Sequence, residues 1–274
     1  MNPLLQAAVA AARAAGDVIR AAAADPGSLQ VRQKQPNDFV TQVDTASEQA
    51  IVRTLLGAFA DHAVRSEESQ HLHGRPGADH VWIVDPLDGT NNFIHGYPAY
   101  SVSIALAVRG RIEQAVVLDV VRDQLFHASL GDGAYCNDQR LHVTERSALH
   151  EAMVATSAPY RPGTTFADGM QMLGTVMERV SAIRRSGSAA LDLAWVAAGH
   201  CDASFDRGLN AWDVAAGGLL VREAGGEVSN FLGEPDFLEA KECVAGNAAL
   251  RAGLVTLLRP FAWRRPHQTV TDPA

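Results

Sequence analysis

The sequence predicts an α+β half carrying an antiparallel sheet, followed by an α/β half, the two meeting near residue 146. Three observations lead there. Apolar strand-like runs at 101–108, 112–121 and 124–128 are joined by Arg109-Gly110-Arg111 and Arg122-Asp123, turns short enough to require antiparallel pairing. From Glu151 onward strand and helix patterns alternate. A chain of 274 residues, 47% hydrophobic and 20% charged, buries a large core without disulfides.

The elements follow in order. Residues 3–24 are strong helix formers stopped at Asp25-Pro26-Gly27. Arg13, Asp17 and Arg20 interrupt that run, so it reads as an amphipathic helix and not as a secretory signal or membrane span. A strand over 39–43 runs into Asp44, and Ile51, Leu55, Leu56 and Phe59 then mark one side of a helix. Thr45-Ala46-Ser47-Glu48 has capping-box spacing and sets the expected helix start. Residues 63–66 and 81–84 are strand-like, and Pro86 should end the second strand at Asp85 because it cannot donate to a ladder. Gly89-Thr90 then turns into a short helix.

The second half reads as strand 153–157, helix 166–180, strand 182–185, helix 189–198, strand 201–205, helix 212–224 and a strand–helix pair over 243–258. The predicted units are therefore 1–146, 147–263 and a disordered tail, 264–274. The 23 basic and 31 acidic residues leave a net charge of −8, which disfavours nucleic acid as a partner. Cys136, Cys201 and Cys243 are odd in number and form no C-x-x-C pair, as in a reduced, cytoplasmic protein.

The densest chemistry lies at Trp82-Ile83-Val84-Asp85-Pro86-Leu87-Asp88-Gly89-Thr90-Asn91-Asn92-Phe93. Two acids bracketing a turn at a strand's end point into one small volume. At about 4 Å two unit charges repel by roughly 4 kcal/mol at an effective dielectric near 20, so a cation, a shared proton or splaying is required. The simpler reading has Asp88 capping the short helix and Asp85 solvated. Asp38, Asp44, Glu67, Glu68 and Asp213 also sit at element ends, and each has its own plain reading as a helix charge, a solvated turn or a cap. Taken together, carboxylates with few nearby histidines favour a hard, oxygen-bound cation such as Mg²⁺.

These residues resemble the inositol monophosphatase family. Asp38-x-Val40-Thr41-x-x-Asp44, Glu67-Glu68-Ser69, the 82–93 segment and Trp212-Asp213-x-Ala215-Ala216-Gly217 occur in the family's order and spacing, and the similarity runs from about residue 4 to 258. The resemblance implies a layered α-β-α-β-α sandwich with the site where the halves meet. It implies that Glu67, Asp85 and the Leu87 carbonyl hold one Mg²⁺ and that Asp85, Asp88 and Asp213 hold a second, with two or three ions in all. Thr90 and Asp44 would orient an activated water and take its proton, while the Gly89 and Thr90 N–H groups cradle phosphate. Ala189 and Asp206 would meet substrate hydroxyls, Asp206 standing where the family often has Glu. Lys34 matches a lysine approaching the site, or is a solvated surface lysine.

The implied reaction is hydrolysis of a polyol or sugar phosphate, inositol monophosphate first, with fructose bisphosphate as an additional substrate. Lithium inhibition and a homodimer come with the resemblance. Some bacterial relatives also act as accessory factors on the transcription machinery, and the resemblance leaves that role open here. A haloacid-dehalogenase-type phosphatase needs its acids two apart, not three. His71, His73 and His80 read as an exposed loop, Gly131-Asp132-Gly133 as a hairpin turn, and Ser188 has no hydrolase context.

Overall fold

Asn2 accepts the Leu5 N–H and Pro3 occupies the first helical position, so helix α1 (Pro3–Ala23) starts at once. Its buried stripe of Leu5, Ala8, Ala12, Ala15 and Ile19 is mostly small, which lets the helix lie close on a sheet. At Gly16 a Cβ would come within 2.7 Å of Leu118 Cδ2. In this computed structural model residues 2–35, 38–69, 71–157 and 165–263 are described, with the side chains of Lys34, Gln35 and Asp38 outside that set. The tail predicted to be disordered lies outside the described residues.

A hairpin of β1 (Val31–Gln35) and β2 (Asp38–Thr41) leads into α2 (Gln42–Ala58). Here the structure corrects the sequence reading. Gln42 and Val43 are helical, and the capping box is Thr41 with Asp44, four residues before the expected Thr45–Glu48 pair. Strands β3 (Ala63–Ser66), β4 (His73–Gly74) and β5 (His80–Asp88) follow, then α3 (Thr90–His95). β6 (Ser101–Val108), β7 (Arg111–Asp119), β8 (Gln124–Ser129), β9 (Gly133–Cys136) and β10 (Gln139–Arg140) complete an eight-stranded sheet in the order β10-β9-β8-β7-β6-β5-β3-β4. The meander from β5 to β10 is antiparallel, as the short turns require, and β3 runs parallel to β5.

The second half contains β11 (Met153–Ala155), α4 (Phe166–Met177), β12 (Ala182–Arg184), α5 (Ala189–Ala197), β13 (Ala203–Arg207) and α6 (Ala211–Glu223). β14 (Glu227–Ser229), α7 (Phe237–Ala240), β15 (Glu242–Gly246) and α8 (Ala248–Leu258) close it. Its five-stranded sheet, ordered β12-β11-β13-β15-β14, is mixed. β13 sits two residues later than expected, which brings Asp206 and Arg207 into the strand.

Three apolar clusters glue these elements into layers. α1 and α2 cover one face of the large sheet through Ile19, Ile51, Leu55, Trp82, Ile104 and Leu118. α5 and α6 form the middle layer, packing on Ile83, Val117 and Phe126 of the large sheet and on Ala155, Cys243 and Ala245 of the small one. α4 and α8 cover the outer face of the small sheet around Phe205, Val244 and Leu254. The result is the α-β-α-β-α sandwich. Among the described residues no helix is long and apolar enough to cross a membrane.

Candidate active site

β5 does not stop at Asp85. It continues to Asp88 through a bulge in which Pro86 and Leu87 together oppose Val102 of β6, between the pairs Asp85↔Ser103 and Asp88↔Ser101. Its other neighbour, β3, ends its pairing at Val84, so the missing Pro86 N–H breaks no ladder there. Ser47 of α2 donates to the Pro86 carbonyl at 2.7 Å and holds the bulge. The extra residue turns Asp85 and Asp88 toward the same volume.

α6 brings the third acid. Asp213 lies in its first turn, where its Oδ2 accepts the Asn210 N–H at 2.6 Å and completes a capping box. Ser103 of β6 donates to the Trp212 carbonyl at 3.1 Å, tying that helix start to the large sheet. Asp85, Asp88 and Asp213, at 2%, 7% and 7% exposure, each place a carboxylate oxygen within 4.8 Å of the others. At that spacing each ionised pair repels by about 3.5 kcal/mol at an effective dielectric near 20. Three such pairs consume much of the ~5–15 kcal/mol stability of a typical fold, so the arrangement calls for a cation or for protons. Burial, followed by the charges of Glu67, Asp88 and Asp213, pushes the Asp85 carboxyl well above the usual carboxylate range.

Glu67 follows β3 directly, and its N–H donates to the Val84 carbonyl at 3.1 Å, which docks it beside β5. The Leu87 N–H donates to Asp85 Oδ1 at 3.1 Å. All-oxygen donors, carboxylates above all, suit a hard divalent ion such as Mg²⁺.

A second arm approaches from α2. The Thr90 hydroxyl lies 2.8 Å from Asp44 Oδ1 and 3.0 Å from the Leu87 carbonyl. Asp44 Oδ2 accepts the Thr41 N–H at 2.8 Å and the Thr41 hydroxyl at 2.6 Å. Burial raises the Asp44 carboxyl although these donors pull it down. Asp44 is therefore a helix cap and a partner of Thr90 together. Gly89 precedes α3 with φ 93°, and a Cβ there would approach the Ala99 carbonyl to 2.9 Å.

A profile of the inositol monophosphatase family matches residues 1–261. The chain belongs to that family. The protein described as Nus factor SuhB in Pseudomonas aeruginosa is 45% identical over 263 residues, covering 95% of this chain and 97% of that one. The crystal structure of extragenic suppressor protein suhB from Bartonella henselae superposes with a TM-score of 0.90 at 41% identity, over 94% of this chain and 99% of that one. The inositol monophosphatase structure from Anabaena gives 0.81 at 32%, over 94% and 98%.

The remaining expected residues fall in different places. Asp88 is not the cap of α3, whose N-cap is Gly89 without a side-chain bond. Its Oδ2 instead accepts from Ser188 and from the Ala190 N–H, at the start of α5 beside Ala189. Asp206, in β13, uses Oδ1 to accept the Ser157 N–H at 2.6 Å, so it serves the end of β11 and is not one of the three clustered acids. Lys34 lies in β1, its side chain outside the described set. Two of the three histidines leave the exposed loop expected of them. His73 bonds Ser69 at 2.8 Å, and His80 stacks on His62 at 4.5 Å.

Sequence reasoning passed over Ser188 and the bridging role of Asn92, whose Nδ2 donates to the carbonyls of Ala99 at 2.6 Å and Ser186 at 2.8 Å. Gly187-Ser188 before an alanine-rich run is a legible helix start. Nothing local reveals the partner across the fold.

Proposed function

We propose that the chain is a Mg²⁺-dependent phosphatase of a polyol or sugar phosphate, with inositol monophosphate the first substrate to test and fructose bisphosphate the alternative. The observation that carries this reading is the buried meeting of Asp85, Asp88 and Asp213 from a strand bulge and a helix start. Glu67, Asp85, the Leu87 carbonyl, Asp88 and Asp213 are the residues that would hold the ions. Bound Mg²⁺ supplies charge neutralisation for the phosphate and acidifies a water.

The protein's own share is orientation and proton transfer. The Thr90 hydroxyl, its proton directed to Asp44 Oδ1 at 2.8 Å, presents lone pairs to accept from an attacking water. Asp44 receives the proton, and burial makes it a stronger base than an exposed carboxylate. The N-terminus of α3 and the α5 start near Ala189 offer N–H groups to the ester's phosphate and hydroxyls.

A panel of phosphate esters assayed with and without Mg²⁺ tests this. The expected result is Mg²⁺-dependent release of phosphate, lowered at least ~10²-fold in Asp213→Asn, the scale of losing one electrostatic stabiliser. Turnover indifferent to Mg²⁺, or unchanged in that variant, overturns it. A second reading is favoured by the relative named a Nus factor: an accessory role on the transcription machinery. An Asp88→Asn strain that keeps the cellular role while losing hydrolysis would support the second reading.

A further inference from the structure

Asp88 is anchored from the other half of the chain. Its Oδ2 accepts the Ser188 hydroxyl at 2.6 Å, the Ala190 N–H at 2.8 Å and, more weakly, the Ser101 hydroxyl at 3.5 Å. Ser188 is 1% exposed and is also the N-cap of α5, where its oxygen accepts the Leu191 N–H at 3.3 Å. One hydroxyl therefore donates to the carboxylate and accepts from its own helix, which fixes the rotor in a single orientation. The turn before it is fixed as well. Asn92 holds the Ser186 carbonyl, and a Cβ on Gly187 would strike the Asn92 amide at 2.8 Å.

α5 is in turn rigidly set on α6. Gly217 of α6 meets Leu193 of α5 so closely that a Cβ would lie 2.4 Å from the leucine Cβ. Asp213 stands one helical turn before Gly217, on the same side of α6. A continuous chain of packed groups thus runs from Asp88 through Ser188 and α5 to the helix that carries Asp213.

We propose that Ser188 is a positioning residue for the cation site: its hydroxyl fixes the Asp88 carboxylate and, through α5, sets the Asp88–Asp213 spacing. Second contacts of this kind commonly change metal affinity by about 10–100-fold when removed. The proposal rests on the metal-site reading given above, and its test separates the two.

The experiment titrates Mg²⁺ into metal-stripped full-length protein and follows the thermal midpoint. Ser188→Gly removes the hydroxyl yet keeps most of the capping preference, so it folds more readily than Ser188→Ala. The half-saturating Mg²⁺ concentration should rise about tenfold in Ser188→Gly and return to within twofold of wild type in Ser188→Thr. Thr165→Ala removes the α4 cap, where Thr165 accepts the Asp168 N–H, and should lower the melting temperature without moving the Mg²⁺ midpoint. A Ser188→Gly midpoint within twofold of wild type, or a Thr165→Ala shift of equal size, overturns the proposal. Wild type that gains no stability from Mg²⁺ overturns it together with the metal site. Wild type that binds Mg²⁺ but hydrolyses no ester overturns the phosphatase reading alone.

Discussion

Asp44 and Asp192 are both acids in the first turn of a helix, both 1% exposed, and both pushed above the ordinary carboxylate range chiefly by burial. Their surroundings differ. Asp44 receives the Thr41 N–H, the Thr41 hydroxyl and the Thr90 hydroxyl. Asp192 has the Ser186 hydroxyl as its side-chain donor, and that hydroxyl also reaches the Ser188 carbonyl at 3.2 Å, so its one proton is divided between them. The charges of Asp206 and Asp88 raise Asp192 further, with Arg185 opposing them. Burial alone therefore does not mark a working acid. What sets Asp44 apart is donors that aim it at a second group, as the proposed proton transfer requires.

The largest effect that sharpens this contrast is on Asp44. Asp44→Asn places an amide where Thr41 and Thr90 both present donors, and removes the group proposed to take the water's proton. Turnover should fall by at least ~10²-fold, within the range of general-base loss, while the Mg²⁺ midpoint of thermal stabilisation stays put. Activity within threefold of wild type would reduce Asp44 to a helix cap and erase its difference from Asp192.

Asp192→Asn should act in the other direction and on stability. The folded protein favours the protonated acid, so the Asp192 contribution is fully present below the unfolded value near 3.8 and is lost as pH rises through the folded pKa. At neutral pH the amide no longer has to hold a proton in the interior. Melting should rise by about 2–4 °C, the shift that ~1 kcal/mol gives in a chain of this size, and the gain should shrink as pH falls toward 4. A variant less stable than wild type at pH 7 would show that the Ser186 donor outweighs burial when Asp192 is ionised.

The sequence made Asp85 and Asp88 legible because their juxtaposition is local, set by a strand end and a proline within four residues. Asp213 was legible as one of several acids at element ends, but its pairing with these two came from the resemblance, since their meeting depends on how α6 docks. The bulge was not legible: Pro86 reads as a strand breaker, and only the early departure of β3 makes it tolerable in β5. Likewise the Thr45–Glu48 spacing outcompeted Thr41–Asp44 on paper. In the fold Glu48 is buried and accepts from Ser69, which leaves capping to Asp44. The partners of Ser188 and Asn92 lie about a hundred residues away in the chain, beyond any window of periodicity or capping.

The smallest effect belongs to a third buried titratable group, His62, which resembles Asp44 in having a committed partner. It is 4% exposed, stacked between Phe59 at 4.6 Å and His80 at 4.5 Å, and its Nδ1 lies 3.1 Å from Trp82 Nε1. Indole nitrogen only donates, so Nδ1 must be the acceptor, which requires a neutral ring with its proton on Nε2. Burial, and then the charge of His80, lower the His62 pKa from 6.5, with Asp61 opposing. A depressed histidine contributes stability that is present above the unfolded value and lost as pH falls below 6.5 toward the folded one. Chemical denaturation between pH 7.5 and 5 should show that loss, smaller than the Asp192→Asn shift. It should be flattened in His62→Gln, whose amide oxygen can still accept from Trp82. Equal pH slopes in the two proteins would mean that the stack, and not the neutral acceptor, is what His62 contributes.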